Sequence, residues 1–330
     1  MTQQDEARRA QPGPVGSLLF SLLVPSCLMA QAWVFPKGEG AVSLSYQNLY
    51  VTHHVDSTGL ALDRGHIFAD SVSLDVEYSL TNRLAARVSL PYVASSYVGD
   101  HPHTWLDNGD YHSTFQDYGV DVRYNVSQRP LVITPFFRAV IPSHSYEYFA
   151  HSAVGMRLHE YHLGTNVGRR LNPFLPKGYV QASYSYAFVE RIVGIAPNRS
   201  DVEFQVGYFL KPRFSLSGTG HWMHTHSGVD LLSGVPNGGL TDEQWPHHDQ
   251  IAKARLFDLD GGAALAVNPS LQILVSVARS LTGVNGHFHA AVVTVALSRT
   301  FGNRFGVEKA ALGPAGESVP PPGGPGPKAP

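Results

Sequence analysis

Val72-Ser73-Leu74-Asp75-Val76-Glu77-Tyr78-Ser79-Leu80 alternates apolar and polar residues without a break. Tyr118-Gly119-Val120-Asp121-Val122-Arg123-Tyr124-Asn125-Val126 and Val202-Glu203-Phe204-Gln205-Val206-Gly207-Tyr208 repeat the pattern. A period of two puts the two classes on opposite faces of a strand. Val, Tyr and Phe, which fit a pleated surface, fill the apolar positions. The same alternation marks about twelve segments along the chain. They are 41–51, 67–80, 84–94, 116–126, 131–142, 156–170, 178–190, 200–210, 213–223, 251–267, 271–282 and 289–301. Several reach the roughly 9–11 residues that a tilted strand needs to cross a bilayer. The tenth is irregular between Lys253 and Leu256, which predicts a bulge or a shifted start there.

The connections alternate in length. Residues 81–83, 127–130, 172–177, 211–212 and 268–270 are short, and each carries Asn or Pro, which suit turns. Residues 52–66, 95–115, 143–155, 191–199 and 224–250 are long, and 283–288 is the one short connection among them. Short turns at one end and long loops at the other are the pattern of an outer-membrane barrel.

Composition limits the alternatives. The chain has 330 residues, and 15% are charged, with a net charge of −2. Soluble domains carry about 25% charged residues. Without a basic surface there is nothing to release counterions from a polyanion, so no nucleic-acid partner is expected. The single cysteine, Cys27, excludes a disulfide framework and a cysteine metal site. No apolar run beyond the N-terminus is long enough for a transmembrane helix.

Alternation does not say which face meets lipid. Three features favour an apolar outside. The polar positions carry both signs at Asp75, Glu77, Arg87, Asp121, Arg123, Arg138, Asp201 and Glu203, which suits a wet, cross-paired lumen, and these are the expected lumen-lining residues. Tyr50, Tyr78, Tyr92, Tyr118, Tyr208 and Trp222 sit at segment ends, as interfacial girdles require. Finally, a secretory leader heads the chain. Arg8 and Arg9 precede a short, mostly apolar stretch at 15–30, and Ala30-Gln31-Ala32 offers a small-residue cleavage site. Cleavage after Ala32 would make Trp33 the first residue. The apolar stretch is short for an anchor, and Pro25 fits lipid attachment at Cys27 poorly. A soluble sandwich or closed barrel would also alternate.

The last segment, Val293-Thr294-Val295-Ala296-Leu297-Ser298-Arg299-Thr300-Phe301, ends on an aromatic, as strands read by the barrel-assembly machinery usually do. A Pro/Gly-rich tail follows at 302–330, including Pro320-Pro321-Pro322-Gly323-Gly324-Pro325, and that composition predicts disorder.

The chain resembles the outer-membrane proteins named for the meta-pathway of phenol degradation, distant relatives of the transporters of long-chain fatty acids and aromatic hydrocarbons. The resemblance lies in Val76-Glu77-Tyr78-Ser79-Leu80-Thr81-Asn82-Arg83-Leu84 with Val88-Ser89-Leu90-Pro91-Tyr92, in Phe115-Gln116-Asp117-Tyr118-Gly119-Val120-Asp121-Val122-Arg123-Tyr124, and in Ala139-Val140-Ile141-Pro142-Ser143. It spans about 33–301. It implies a barrel that takes up small hydrophobic compounds, and it supplies no catalytic residues.

There are 17 histidines. His53, His54, His66, His101, His103, His112, His144, His151, His224, His226, His247, His248 and His287 fall in or beside the long connections, which predicts a cluster at the extracellular mouth. His224, His226, His247 and His248 flank one loop beside Asp249 and are the expected ligands if zinc or copper binds; no resident cofactor is otherwise expected. The plainer reading is solvated loop histidines without a metal, since no strict ligand spacing is matched. His224 and Ser227 are three apart and His226 and Ser227 adjacent, so neither pair shares a strand face as a base and nucleophile would, and no enzymatic activity is expected.

The sequence therefore predicts an all-β protein: a transmembrane, antiparallel, up-and-down β-barrel of about twelve strands in the bacterial outer membrane. Its expected divisions are a signal peptide at 1–32, the barrel at 33–301 and the tail at 302–330. Its expected surroundings are membrane lipid and lipopolysaccharide, with delivery by the assembly machinery and passage of a small hydrophobic or aromatic solute. The competing reading is a structural or binding barrel whose histidine-rich loops capture metal or a partner. An open or plug-gated lumen separates the first reading from the second.

Overall fold

The computed structural model describes residues 32–302. Along the chain run β1 (Gly40–Val55), β2 (Ala61–Leu62), β3 (His66–Ser79), β4 (Leu84–Val98), β5 (His112–Phe115), β6 (Tyr118–Tyr124), β7 (Val132–Ile141), β8 (Glu160–Arg170), β9 (Gly178–Val189), β10 (Arg199–Lys211), β11 (Phe214–Thr225), the single helical turn α1 (His248–Ile251), β12 (Arg255–Asn268), β13 (Leu271–Val284) and β14 (Gly286–Phe301). Twelve strands form one antiparallel ring, because β14 pairs with β1 from Gly40 opposite Phe301 to Val55 opposite Gly286. The short β2 and β5 lie on β1 and β4, inside the long connections at 52–66 and 95–115. The predicted leader up to Gln31 and the predicted tail beyond Gly302 lie outside the described residues.

The alternation resolves with the apolar face outward. Leu44 is 50% exposed and Phe204 52%, and Val72, Leu74, Val76, Tyr78, Val120, Val122, Val295 and Leu297 share their side of the wall. Between them, Asp75, Glu77, Arg123 and Gln205 are buried. A soluble barrel would invert this arrangement. A belt of exposed apolar side chains around a polar interior is stable only where hydrocarbon is the solvent.

Several predicted boundaries move for local reasons. The sixth strand starts at Glu160, not 156, since Arg157 adopts φ +52, which no ladder accommodates. The tenth starts at Arg255 because α1 ends just before it, and a register shift follows between Phe257 and Asp258. The connection expected at 283–288 shrinks to Asn285 alone, at φ +52, a conformation that asparagine tolerates better than most residues.

One segment occupies the interior from the short-turn end. Residues 32–39 enter beside the β3–β4 turn, where Gly38 N–H donates to Ser79 O and Ser79 N–H to Glu39 O, both at 2.9 Å. They then cross to the far wall. Thr134 Oγ1 on β7 donates to Ala32 O at 2.5 Å, and Trp33 packs edge-on against Tyr179 of β9, halfway round the ring from β1. Ala32 and Val34 are buried. The segment's side chains lie so close to β8 that a Cβ on Gly168 would stand 2.6 Å from Ala32 Cβ and 2.8 Å from Trp33 Cη2. Glycine is needed there for proximity.

Candidate functional site

The interior divides into a charged belt at mid-wall and a histidine-rich mouth above it. In the belt, register places opposite charges side by side. Glu77 faces Arg87, Arg87 faces Asp121 and Asp121 faces Arg138, from β3 round to β7; beyond them Arg138 faces His162 of β8. Adjacent opposite charges support a sheet, where like charges would repel. Side chains also reach diagonally. Arg87 donates from Nε and Nη2 to Asp75 Oδ1 at 3.1 and 2.8 Å, and Arg123 pairs with Glu77. Glu160 accepts from Arg199 Nη1 at 2.9 Å and meets His162 Nε2 at 3.0 Å. On the other half of the wall, Asp201 lies 3.6 Å from His221, and Glu203 faces His221 across the ladder. Thus Asp75, Glu77, Arg87, Asp121, Arg123, Arg138, Asp201 and Glu203 all fall on inward strand positions. Arg123 is only 3% exposed, so its guanidinium serves its carboxylate partner rather than open solvent. Nearer the turns, Gln181 donates to Gln205 and Gln205 to Thr219, at 2.6 and 3.3 Å, in a neutral layer beside residues 32–39.

The loops fold down onto the mouth. Asp107 is their organising residue. Its carboxylate accepts from the backbone N–H groups of His103, His151 and Ser152 at 2.8, 3.1 and 2.9 Å, and from Ser152 Oγ at 2.9 Å. Burial pushes the carboxyl up, but these donors outweigh it and hold it below the usual range. The contact ties loop 99–111 to loop 142–159. Val93, Tyr146 and Val154 form a small apolar core under the second loop. Tyr97 and His151 stack at 4.4 Å, and Tyr97 donates to Arg64 O.

The four histidines predicted as metal ligands do not meet. His224 takes the outward parity of Leu216 and Trp222 and stacks on Trp222. His226 packs against His224, with Nε2 2.8 Å from Ser200 Oγ. His247 turns to Gln250 Oε1 at 2.6 Å and stacks on Tyr148, while His248 stacks on Trp245. The predicted set is thus split between the barrel wall and a loop. Ser227 donates to Ala196 O and is spent on that turn.

A different set converges. His151 lies at ring-centroid distances of 5.0 Å from His54 and 3.9 Å from His103; His54 is 4.3 Å from His287, and His103 is 4.9 Å from His248. Two one-residue bulges cause this. Thr52 and Ala290 have no partner in the β1–β14 register, and each reverses the parity of the residues beyond it. His54, His287 and His289 therefore turn inward, where unbroken alternation would have pointed them out. Burial pushes His103 down to about 4 and His151 to about 3, so both are neutral at pH 7.

No family model and no curated protein matches the chain. The fold does have solved counterparts. The COG4313 outer membrane channel from Pseudomonas putida F1 superposes with a TM-score of 0.65 at 14% identity, over 82% of this chain and 98% of that one. The chain thus has the fold of an outer-membrane β-barrel channel. Two more distant similarities are to the CymD monoaromatic hydrocarbon channel, at TM-score 0.42 and 8% identity over 82% and 90% of the two chains, and to the NanC porin, at 0.45 and 9% over 80% and 100%.

Proposed function

We propose that this barrel is a plug-gated channel that admits small hydrophobic or aromatic compounds across the outer membrane. The observation that carries the reading is residues 33–39, which cross the lumen from the β3–β4 turn to Trp33 packed against Tyr179 of β9. The ion-paired belt supports a restricted path rather than a wide aqueous one, and the eight belt residues named above are its proposed lining. Trp105, Tyr111 and Phe115 remain exposed on the loops, Trp105 at 72%, and offer arriving solute an apolar surface; Tyr97 and Tyr146 are buried as loop core instead. The resemblance to the meta-pathway proteins supports the same substrate class. Lipopolysaccharide would surround the loop end, and the terminal strand ending at Phe301 fits delivery by the assembly machinery.

The test compares cells expressing the protein with the empty strain. Uptake of a labelled monoaromatic compound should be faster in the former, while liposomes carrying the protein should swell only weakly in sugars. Equal aromatic uptake, with the barrel verified in the membrane, would refute the proposal.

A further inference from the structure

We propose that His54, His151 and His287 form a binding site for one divalent transition-metal ion of the zinc class at the extracellular end of the barrel. Their candidate ligand atoms all lie within 4.8 Å of one another. Tetrahedral zinc with bonds of 2.0–2.1 Å holds its nitrogens about 3.4 Å apart, so small side-chain rotations would close the set. Three imidazoles with a fourth position open to water suit Zn²⁺, Cu²⁺ or Ni²⁺.

The hydrogen bonding points the same way. His151 is 5% exposed, and its Nε2–H donates to His101 O at 3.0 Å. That bond fixes the tautomer and leaves the Nδ1 lone pair unpartnered. A ligating histidine is normally held in this way, its other ring nitrogen donating to a carbonyl or carboxylate. Neither ring nitrogen of His54 has a partner among the described residues, although a buried donor left unmade is costly. Asp249 Oδ1 stands 3.5 Å from His287 Nε2 and supplies a negative charge beside the set. A second grouping, His103, Asp107 and His151, is also compact. Its carboxylate is already committed to four donors, so the all-histidine set is the one free to bind.

His54 and His287 belong to β1 and β14, and His151 to loop 142–159. A bound ion would therefore pin that loop to the wall at the seam of the barrel. This inference does not depend on the transport reading.

The protein should be purified without a polyhistidine tag, stripped with EDTA and titrated in detergent micelles with Zn²⁺ by calorimetry. Co²⁺ should be titrated in parallel for its visible tetrahedral absorption. One equivalent should bind, and His54→Ala and His287→Ala should each weaken binding at least tenfold and abolish the cobalt band. A variant lacking both His224 and His226 should bind as the parent does. Heat-modifiable gel migration verifies the folded barrel, and His54→Gln and His287→Asn replace any alanine variant that fails it. Absence of binding by the folded parent, undiminished binding by the His54 and His287 variants, or loss confined to His103→Ala would overturn the site.

Discussion

Gly168→Val should open the barrel. The new Cβ would lie 2.8 Å from Trp33 Cη2, against about 3.5–4.0 Å for relaxed carbon contacts. The ring must therefore move by about 1 Å even if the mature chain begins at Trp33. Two Cγ methyls would deepen the overlap. In a chain that begins at Trp33, the burial of Val34 and the edge contact of Trp33 with Tyr179 hold the segment, together at about 2–3 kcal/mol. At 1.36 kcal/mol per tenfold, that leaves about 1% of molecules unplugged. Overpacking costs about 1–3 kcal/mol and falls only on the plugged state. It should raise the unplugged population by roughly five- to a hundredfold. Open probability in planar bilayers reads this directly, with deletion of residues 33–36 setting the fully unplugged level. If that deletion conducts and Gly168→Val stays at the parental level, the contact does not hold the segment. If the deletion does not conduct, the segment is not the gate.

Arg87→Met leaves the buried Asp75 carboxylate uncompensated and should destabilise the barrel by about 3–5 kcal/mol in urea titrations from lipid vesicles; adding Asp75→Leu should recover most of the loss. Asp107→Ala orphans the buried N–H groups of His151 and Ser152, at about 1–3 kcal/mol each, and the half-buried one of His103, so hydrogen exchange should accelerate at 101–107 and 150–154 and nowhere in the strands. Glu190 accepts from His159 Nδ1 at 2.8 Å and from its backbone N–H, which hold its carboxyl below the ordinary 4.5. The stability it adds is full above that value and lost as pH falls through the lower folded value, and His159→Ala should remove this acid sensitivity of loop 191–198. N-terminal sequencing of the membrane fraction should give Trp33, and a chain beginning at a lipidated Cys27 would refute that processing.

The barrel was legible because period-two alternation is a local property, and nearly every wall residue obeys it. Asp75, Glu77 and Arg123 could be assigned to one face from the stretches that contain them. Which partner each would meet was not legible, since the pairing of Glu77 with Arg123 depends on stagger between strands. The histidines show the limit more sharply. His54 and His287 lie beyond bulges at Thr52 and Ala290, so alternation read through those points gives the wrong face. The inserted residue carries no compositional mark. His151 reaches them only because Asp107, 44 residues earlier, docks its loop. His224 and His226 looked paired in sequence, and they are, but on the outer side of the wall.

The seam has a consequence for the order of folding. Each ring strand pairs with the next one along the chain, except where Gly40 meets Phe301. Closing a loop of that length costs about 3 kcal/mol more chain entropy than closing a ten-residue hairpin. Nothing repays that cost until β14 exists, because β1 and β13 expose unpaired N–H and C=O groups until then. A nascent chain therefore has no protected intermediate. A barrel stopped even one strand short would carry two open edges of unpaired backbone groups and would be prone to aggregate rather than to insert.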